Sequence, residues 1–580
     1  MAIQTDHKNI IELIMGDLTQ FHIPIYQRNY TWDAVKHVDK LVDDIIEFGD
    51  EYKDNKRAEY YIGNIIVKNQ NRGMITERVV IDGQQRITTT ILLLSAIRDT
   101  FNYKYSSTEG QATANSIHKS LYFEDGEEIK LKLNNMENQQ TLTKILSAQF
   151  SSMSVADRET RYMKNYLHIQ KRLSRMDQEY FENFLSLLRR VKVVIIFLDE
   201  DQDENSVFES INSLGKPLAG SDLIKNYLFT FKNYECDHNN ESILTKLYTS
   251  TFESLFNDEK DKEEELESFF RSYIAVKTQF LVKKDPKAIY YGFKKFIGEI
   301  MSFEMCYDVV SDISEWALIY KILKTKGHPD IDLNHLGYLR TSFGVYVTLL
   351  MALVNKYSHI ESNELIIDNR YELNRVFKSI VAYDVSRFIA SYPEGELARF
   401  IPTVFNRLSN DERYSEYTEK FVELVTNTIE GYRQPSIETL KKSVTSIDLY
   451  SRKKQKLKKL LVLLENIGKK EILDYEKDLK KAQIEHIIPQ TLAPGKWTFL
   501  TIEDHEKYLH TMGNLTLTFD NPTLSNMEFP EKKIVLHERS RILMNNKLIE
   551  YDSFGISEVE DRALFLLDAL INEYFILNTL

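Results

Sequence analysis

The alternation of apolar and polar positions divides the chain into three stretches of different texture. Through residue 230, short β-branched and aromatic runs are bounded by turn or polar residues. Tyr60-Tyr61-Ile62-Gly63-Asn64-Ile65-Ile66-Val67 and Arg78-Val79-Val80-Ile81 therefore predict strands. Ile87 to Arg98 carries apolar residues on several faces and predicts a buried helix. Val193 to Leu198 is the continuous apolar run expected of a central strand. From 231 to 450 the pattern turns helical with only scattered Gly and Pro. Within it, Phe343 to Val354 falls short of the roughly 20 residues a membrane helix needs, and predicts a buried helix. The charged run Asp258 to Glu265 predicts a solvated helix face. At 452–459 the charge turns strongly positive, and a last region with its own strand, loop and helix signals follows. The expected fold class is α+β and multidomain, divided as 1–230, 231–450 and 451–580.

Composition narrows the function classes. Hydrophobic residues are 43% and charged residues 28% of 580 positions, enough apolar material for sizeable cores. The net charge of −13, from 74 Lys and Arg against 87 Asp and Glu, argues against a passive nucleic-acid coat. An enzyme with a local basic groove remains compatible. Cys236 and Cys306 are the only cysteines, which excludes a disulfide framework or a four-cysteine zinc site and points to a reducing compartment. The first residues lack the apolar stretch of a signal peptide. These features predict a soluble, cytoplasmic protein without a membrane partner.

Two N-terminal segments carry candidate chemistry. Ile23-Pro24-Ile25-Tyr26-Gln27-Arg28-Asn29-Tyr30-Thr31-Trp32 packs a cation, an amide and three large aromatics into ten residues. Such a segment either seals a core or stacks its aromatics on bases while Arg28 and Gln27 reach phosphate or base edges. The second, Val80-Ile81-Asp82-Gly83-Gln84-Gln85-Arg86, is a strand end opening a helix. Free amides and the positive helix end make a phosphate seat, Gly83 permits close approach, and Arg86 can fork onto oxygens. Asp82 can hold a metal or orient water. The Gly-x4-Gly-Lys-Ser/Thr loop is absent, and spacing alone leaves a simple turn equally open. A third segment, Phe208 to Asn226, holds a Gly-Lys-Pro turn and Ser221 as a helix N-cap, with Asn212, Lys216 and Lys225 as polar residues of undetermined role.

Near the other end stands Ala482-Gln483-Ile484-Glu485-His486-Ile487-Ile488-Pro489-Gln490, followed by Met512-Gly513-Asn514-Leu515-Thr516-Leu517, then Asn521, Ser525-Asn526 and Lys532-Lys533. A strand ending in acid-His, a second strand after Gly-Asn and a helix carrying Asn fit a ββα-metal nuclease. Mg²⁺ takes hard oxygens such as Glu485 and an Asn side chain, and a neutral His accepts a proton from attacking water. Asn514 is expected to brace the loop and orient His486. Either Asn521 or Asn526 is the remaining ligand; Asn526 is preferred because Ser525 reads as an N-cap. His505, His510 and His537 are not assigned to the chemistry. The 452–459 run is either the wet face of a helix or a set of phosphate contacts.

Taken together, the Ile-Pro-x-Tyr-Gln-Arg-x-Tyr-x-Trp, Asp-Gly-Gln-Gln-Arg and Phe-x-x-x-Asn-x-x-Gly-x-x-Leu…Asp-Leu-Ile-Lys-Asn segments resemble the N-terminal module of GmrSD-type (type IV) restriction endonucleases. The Glu-His-Ile-x-Pro-Gln and Gly-Asn-Leu-x-Leu series resembles the HNH nuclease module that follows it in single-chain members. The resemblance implies a ParB/sulfiredoxin-like module over 1–230, a helical coupling region over 231–450 and an HNH domain over 451–580. It further implies a nucleoside triphosphate at Asp82, Gly83, Gln84, Gln85 and Arg86, and sensing of DNA or its modification by Tyr26, Gln27, Arg28, Tyr30 and Trp32. Catalysis would fall to His486 and Asn514, with Mg²⁺ or Mn²⁺ on Glu485 and Asn526 or Asn521. The implied activity is nucleotide-regulated cleavage of double-stranded, modified phage DNA, with a homodimer compatible with it. Relatives leave a glycosylated base and a phosphorothioate backbone both open as the modification. Two other readings stand beside this one: a nucleotide-switching DNA-binding regulator with an inactive HNH module, and a nuclease acting on host RNA. Net acidity combined with local cations predicts positive potential confined to the two motif sets.

Overall fold

In a computed structural model of the chain, the described residues are 4–16, 19–24, 27, 29–72, 75–122, 128–133, 135–198, 219–230, 236, 238–257, 261–451, 453–475, 477–492, 494–519, 524, 527–538 and 542–575. They form a mostly helical α+β protein of two compact units, one of residues 1–245 with 298–306 and one of 246–297 with 307–580.

The first unit is organised by a six-stranded mixed sheet in the order β1-β6-β3-β4-β2-β5. Its strands are β1 (Gln4–Asn9), β2 (Thr19–Ile23), β3 (Tyr60–Arg72), β4 (Ile75–Asp82), β5 (Leu131–Leu133) and β6 (Val191–Leu198). The expected strands at 60–67, 78–81 and 193–198 form β3, β4 and β6. β3 pairs antiparallel with β4 and parallel with β6, which places both at the centre of the sheet. β1 is polar and lies at an edge, paired only with β6.

β4 runs straight into the Gln84–Tyr103 helix, nearly all of which is buried up to Phe101. Burial on every face explains why its sequence shows no single apolar stripe. Three of its hydroxyls are satisfied within the helix: Thr90, Ser95 and Thr100 donate to the carbonyls of Arg86, Ile91 and Ala96 at 2.8–2.9 Å. Its two buried charges, Arg98 and Asp99, are paired. Arg98 grips Asp99 through Nε and Nη2 at 2.8 and 2.9 Å, and the Tyr166 hydroxyl donates to the same carboxylate at 2.6 Å. A buried pair with its remaining lone pairs satisfied avoids the cost of an isolated charge.

In the second unit, Phe343–Lys356 is the expected buried helix. The pattern over 231–450 misses one feature, a hairpin of β7 (Ser358–Glu361) and β8 (Glu364–Ile367). Its two-residue turn, Ser362-Asn363, has both φ angles positive, at 52° and 65°, as a tight hairpin requires. The charged run at 258–265 is also not wholly solvated. Residues 258–260 lie outside the described set, but Glu265 is buried and ion-paired with Lys324. The Gly220–Phe229 helix starts one residue before Ser221, so Ser221 is buried in its first turn and Ala219 stands at the cap. Among the described residues no helix is long and apolar enough to cross a membrane.

Candidate active site and nucleotide site

The C-terminal site grows from two short strands. β9 (Gln483–His486) and β10 (Leu515–Thr518) pair antiparallel, with Leu515 opposite His486 and Thr516 opposite Glu485. The Phe529–Glu538 helix follows. β10 is held in place from behind. A side chain at Gly513 would come within 1.8 Å of the Val559 carbonyl oxygen, so only glycine lets the Ile556–Tyr574 helix pass so close. Arg562 of that helix donates to the carbonyls of Gly513 and Leu515 at 2.8 and 2.9 Å. Asn514 is fully buried. Its Oδ1 accepts from the Ile488 amide at 2.7 Å, and its Nδ2 donates to the carbonyls of Ile488 and Leu509 at 3.1 and 2.8 Å. It therefore ties the chain leaving β9 to the chain entering β10.

Glu485 and His486 are both buried at the edge of a cleft of about 370 Å³. The cleft is lined also by Tyr450, Lys454, Lys458 and Gln490. Glu485 meets the ammonium of Lys532, a fully buried residue of the Phe529–Glu538 helix, at 2.7 Å. The same ammonium donates to the carbonyls of His486 and Ile487 at 2.7 and 3.2 Å. Burial raises the Glu485 carboxyl and lowers the Lys532 ammonium, and their attraction opposes both shifts.

His486 is pushed down to about 3, first by burial and then by the neighbouring His510, Lys532 and Lys454. It is therefore a neutral imidazole at physiological pH. Gln490 Nε2 donates to its Nδ1 at 3.0 Å, and its Nε2 lies 3.0 Å from His510 Nδ1. The Tyr450 ring packs edge-on against His486, with centroids 4.6 Å apart. It stacks on His510 at 5.0 Å and an interplanar angle of 11°. His505 is turned to the Pro489 carbonyl, 2.8 Å away. Tyr450 escaped the sequence reading, and Gln490 and His510 were given no role in it. Gln490 stood inside the motif, whereas the partnership with 450 and 510 is tertiary.

The basic run sorts into two sets. Lys456 turns inward to Asp384 and Glu394 at 3.0 and 2.8 Å, and Lys453 joins Glu394 at 2.8 Å. Lys454 and Lys458, on the same Lys454–Glu465 helix, line the cleft and have no carboxylate partner among the described residues. Asn521, Ser525 and Asn526 lie outside the described residues. Among the described residues no group of three or more His, Cys, Asp or Glu is gathered as for a metal. Glu485 itself fits a hard divalent ion, being a carboxylate that lines the cleft beside His486.

At the other motif, Asp82 ends β4 half-buried and Gly83 turns the chain at φ 96°. A β-carbon there would sit 2.9 Å from the Ile65 side chain. Gly83 caps the helix without a side-chain acceptor. Arg86 lies across Gly63 and donates to the Asn64 carbonyl at 3.0 Å, and it has no carboxylate partner among the described residues. A helix start with no side-chain cap, beside a guanidinium without a carboxylate partner among the described residues, is compatible with a phosphate group. Gln84 is buried. Gln85 accepts from the amides of Thr31 and Trp32 at 2.9 and 3.1 Å and donates to the Asn29 carbonyl at 3.2 Å. Gln27 Nε2 donates to the Ile81 carbonyl at 2.7 Å. The Tyr30 hydroxyl sits 2.7 Å from Thr89 and accepts from Asn165 at 2.9 Å. Trp32 is half-buried and stacks on His37 at 5.9 Å. The aromatic segment is thus latched onto the start of the Gln84–Tyr103 helix, and the two N-terminal motifs meet. Tyr26, Arg28, Asn212 and Lys216 lie outside the described residues; Lys225 is half-buried on the Gly220–Phe229 helix.

Comparison with known proteins identifies the family. No curated protein matches the chain. The family model for the GmrSD restriction endonuclease N-terminal domain matches residues 10–229, and that for the GmrSD restriction endonuclease C-terminal domain matches residues 434–569. The two matches span both motif sets and more than half of the chain, so the chain belongs to the GmrSD restriction endonuclease family and DNA is its substrate class.

Proposed function

We propose that the chain is a nucleotide-regulated, Mg²⁺-dependent endonuclease that cuts modified invading DNA, with a ParB-like N-terminal module and an HNH C-terminal module. The observation that carries the nuclease reading is His486. It is buried and neutral, and its Nδ1 is bonded to Gln490, a cleft-lining residue, whereas its Nε2 faces His510, which is not part of the lining. A neutral imidazole whose Nδ1 lone pair is met by the amide of Gln490, a residue of the cleft wall, is suited to take a proton from water once that amide gives way. The water oxygen then bonds to phosphorus while the bond to the leaving 3′ oxygen breaks. Lys454 and Lys458 supply the local attraction for phosphates that a chain of net charge −13 otherwise lacks. Mg²⁺ or Mn²⁺ would be held by Glu485 with Asn526 or Asn521, and would stabilise charge on the phosphate and the leaving oxygen. A nucleoside triphosphate is assigned to Asp82–Arg86, where Arg86 and the helix-start amides bind phosphate and its state regulates cutting.

The test is to incubate purified protein with Mg²⁺, triphosphates and modified or plain DNA, alongside His486→Ala. Cleavage of modified DNA by the wild type alone is expected; equal survival of every DNA with both proteins refutes the nuclease reading. One observation favours a second reading, a nucleotide-switching DNA-binding regulator. Lys532 already neutralises Glu485, as a structural rather than metal-binding carboxylate would require. That reading expects Asp82→Ala to abolish triphosphate turnover while no protein nicks DNA under any condition.

A further inference from the structure

A neutral imidazole carries one N–H and one lone pair, so a base that works through Nδ1 must keep its proton on Nε2. Something behind the ring has to accept that proton. For His486 the group at Nε2 is the Nδ1 of His510, 3.0 Å away. On the opposite edge Gln490 presents its amide nitrogen, which can only donate, and so requires the lone pair on Nδ1. The two contacts specify one tautomer: Gln490 donates to His486 Nδ1, and His486 Nε2 donates to His510 Nδ1.

We infer that His510 is the positioning residue of this nuclease, holding His486 in the tautomer whose Nδ1 lone pair faces the cleft. The inference rests on the nuclease reading above. His510 is itself fixed on two sides, since its ring stacks on Tyr450 and its carbonyl accepts from the Leu449 amide at 3.1 Å. The Asp448 side chain in turn accepts from the amides of Tyr450 and Ser451 at 2.9 and 2.8 Å, which sets the turn that carries the tyrosine. An imidazole acceptor has a consequence that a carboxylate would not. A carboxylate at Nε2 stabilises the imidazolium and raises the basicity of the ring. A neutral His510 selects the tautomer without adding charge, beside a site that already holds the Glu485–Lys532 pair.

The test compares His510→Phe, which keeps a ring against Tyr450 but has no acceptor, with His510→Asn, which places an amide oxygen near the lost Nδ1. Single-turnover cleavage and DNA affinity are measured together with ¹⁵N imidazole spectra of histidine-labelled protein, the His486 signals being assigned by their loss in His486→Gln. His510→Phe is expected to slow cleavage by about 10²-fold with DNA affinity unchanged, below the ~10⁴-fold seen when a triad carboxylate is replaced. His510→Asn is expected to recover most of that rate. The spectra are expected to show His486 protonated on Nε2 in the wild type and in His510→Asn; in His510→Phe, where the Nε2 proton has no acceptor and Gln490 alone still favours that tautomer, a share of the Nδ1-protonated form is expected beside it. Undiminished cutting by His510→Phe, or a wild-type His486 protonated on Nδ1, overturns the inference; the second readout stands even where His510→Phe does not fold. A wild type that cuts no DNA refutes the nuclease reading separately, because the tautomer is read without turnover.

Discussion

At the end of β4 and at the end of β9 the chain places an acidic residue where a strand gives way to a turn, yet the two surroundings are opposite. Around Asp82 the neighbouring side chains are spent on the fold: Gln85 and Gln27 hold backbone, and Tyr30 holds Thr89 and Asn165. What is left there is a helix start without a side-chain cap and the Arg86 guanidinium, whose hydrogen bond goes to the Asn64 carbonyl. Around Glu485 and His486 the side chains are buried, the Glu485 charge is matched by an internal ammonium, and Lys454, over the Tyr450 ring, and Lys458 line the cleft without a carboxylate partner among the described residues. Under the proposed function the first arrangement would recruit charge from solution, and the second would hold a neutral base ready and recruit through its rim.

Lys532→Met strikes hardest at this contrast, because it removes the ammonium and leaves the buried Glu485 uncompensated. Loss of one partner of a buried pair costs about 3–5 kcal/mol. Urea unfolding should show that loss, and Lys532→Met with Glu485→Leu should recover much of it. A single variant as stable as the wild type would mean that the β9 site does not depend on internal charge balance. On the β4 side, Gln85→Ala leaves the part-buried Thr31 and Trp32 amides without their acceptor, which costs less than the about 1–3 kcal/mol of a fully buried unsatisfied group because water reaches this segment. The expected result is faster proteolysis near residues 29–32. An unchanged cleavage pattern would break the view that this motif is spent on the fold.

How much of this was legible beforehand differs between the same two sites. β3, β4 and the helix after Gly83 follow from local pattern, because β-branched runs, a glycine turn and an apolar stretch each act over a few residues. β1 was not legible: Gln4–Asn9 is polar and becomes a strand only because β6 offers an edge. Gly513-Asn514 stood out as a motif, but its reason is tertiary, in the Val559 carbonyl and the amides it bridges. The inward turn of Lys456 and Glu265 was hidden for the same cause, since Asp384, Glu394 and Lys324 are distant in sequence. His510 is the clearest case. Nothing near residue 510 reveals that His486 points at it.

The neutrality of His486 sharpens the comparison through pH. Its pKa falls from the usual 6.5 to about 3 in the fold. Below 6.5 the unfolded chain therefore binds a proton that the folded chain refuses, and stability present above 6.5 is lost as pH drops toward 3. By pH 5 the difference amounts to about 2 kcal/mol at 1.36 kcal/mol per unit. His486→Gln should flatten this part of the stability profile measured by urea unfolding from pH 7 to 5. An unchanged slope would show that His486 is protonated in the folded protein, and the β9 site would then be cationic rather than neutral.

The smallest effect per residue concerns the rim. If recruitment to the β9 cleft is separate from its chemistry, Lys454→Ala and Lys458→Ala should weaken DNA binding uniformly across sequences. Each should reduce the salt dependence of affinity by about one phosphate contact. Cleavage of bound DNA should continue at the original rate in Lys458→Ala, which neither bonds to Glu485 or His486 nor lies over Tyr450, whereas Lys454→Ala also removes a charge that holds His486 down. Lys456→Ala, one turn-neighbour away, should behave differently, since its ammonium is committed to Asp384 and Glu394 and its loss leaves carboxylates unpaired inside the fold. Binding titrations at several salt concentrations separate the outcomes. A steeper loss of affinity for Lys456→Ala than for Lys454→Ala, without unfolding, would mean that the basic run acts as one patch. The division into inward and cleft-facing lysines would then carry no functional weight.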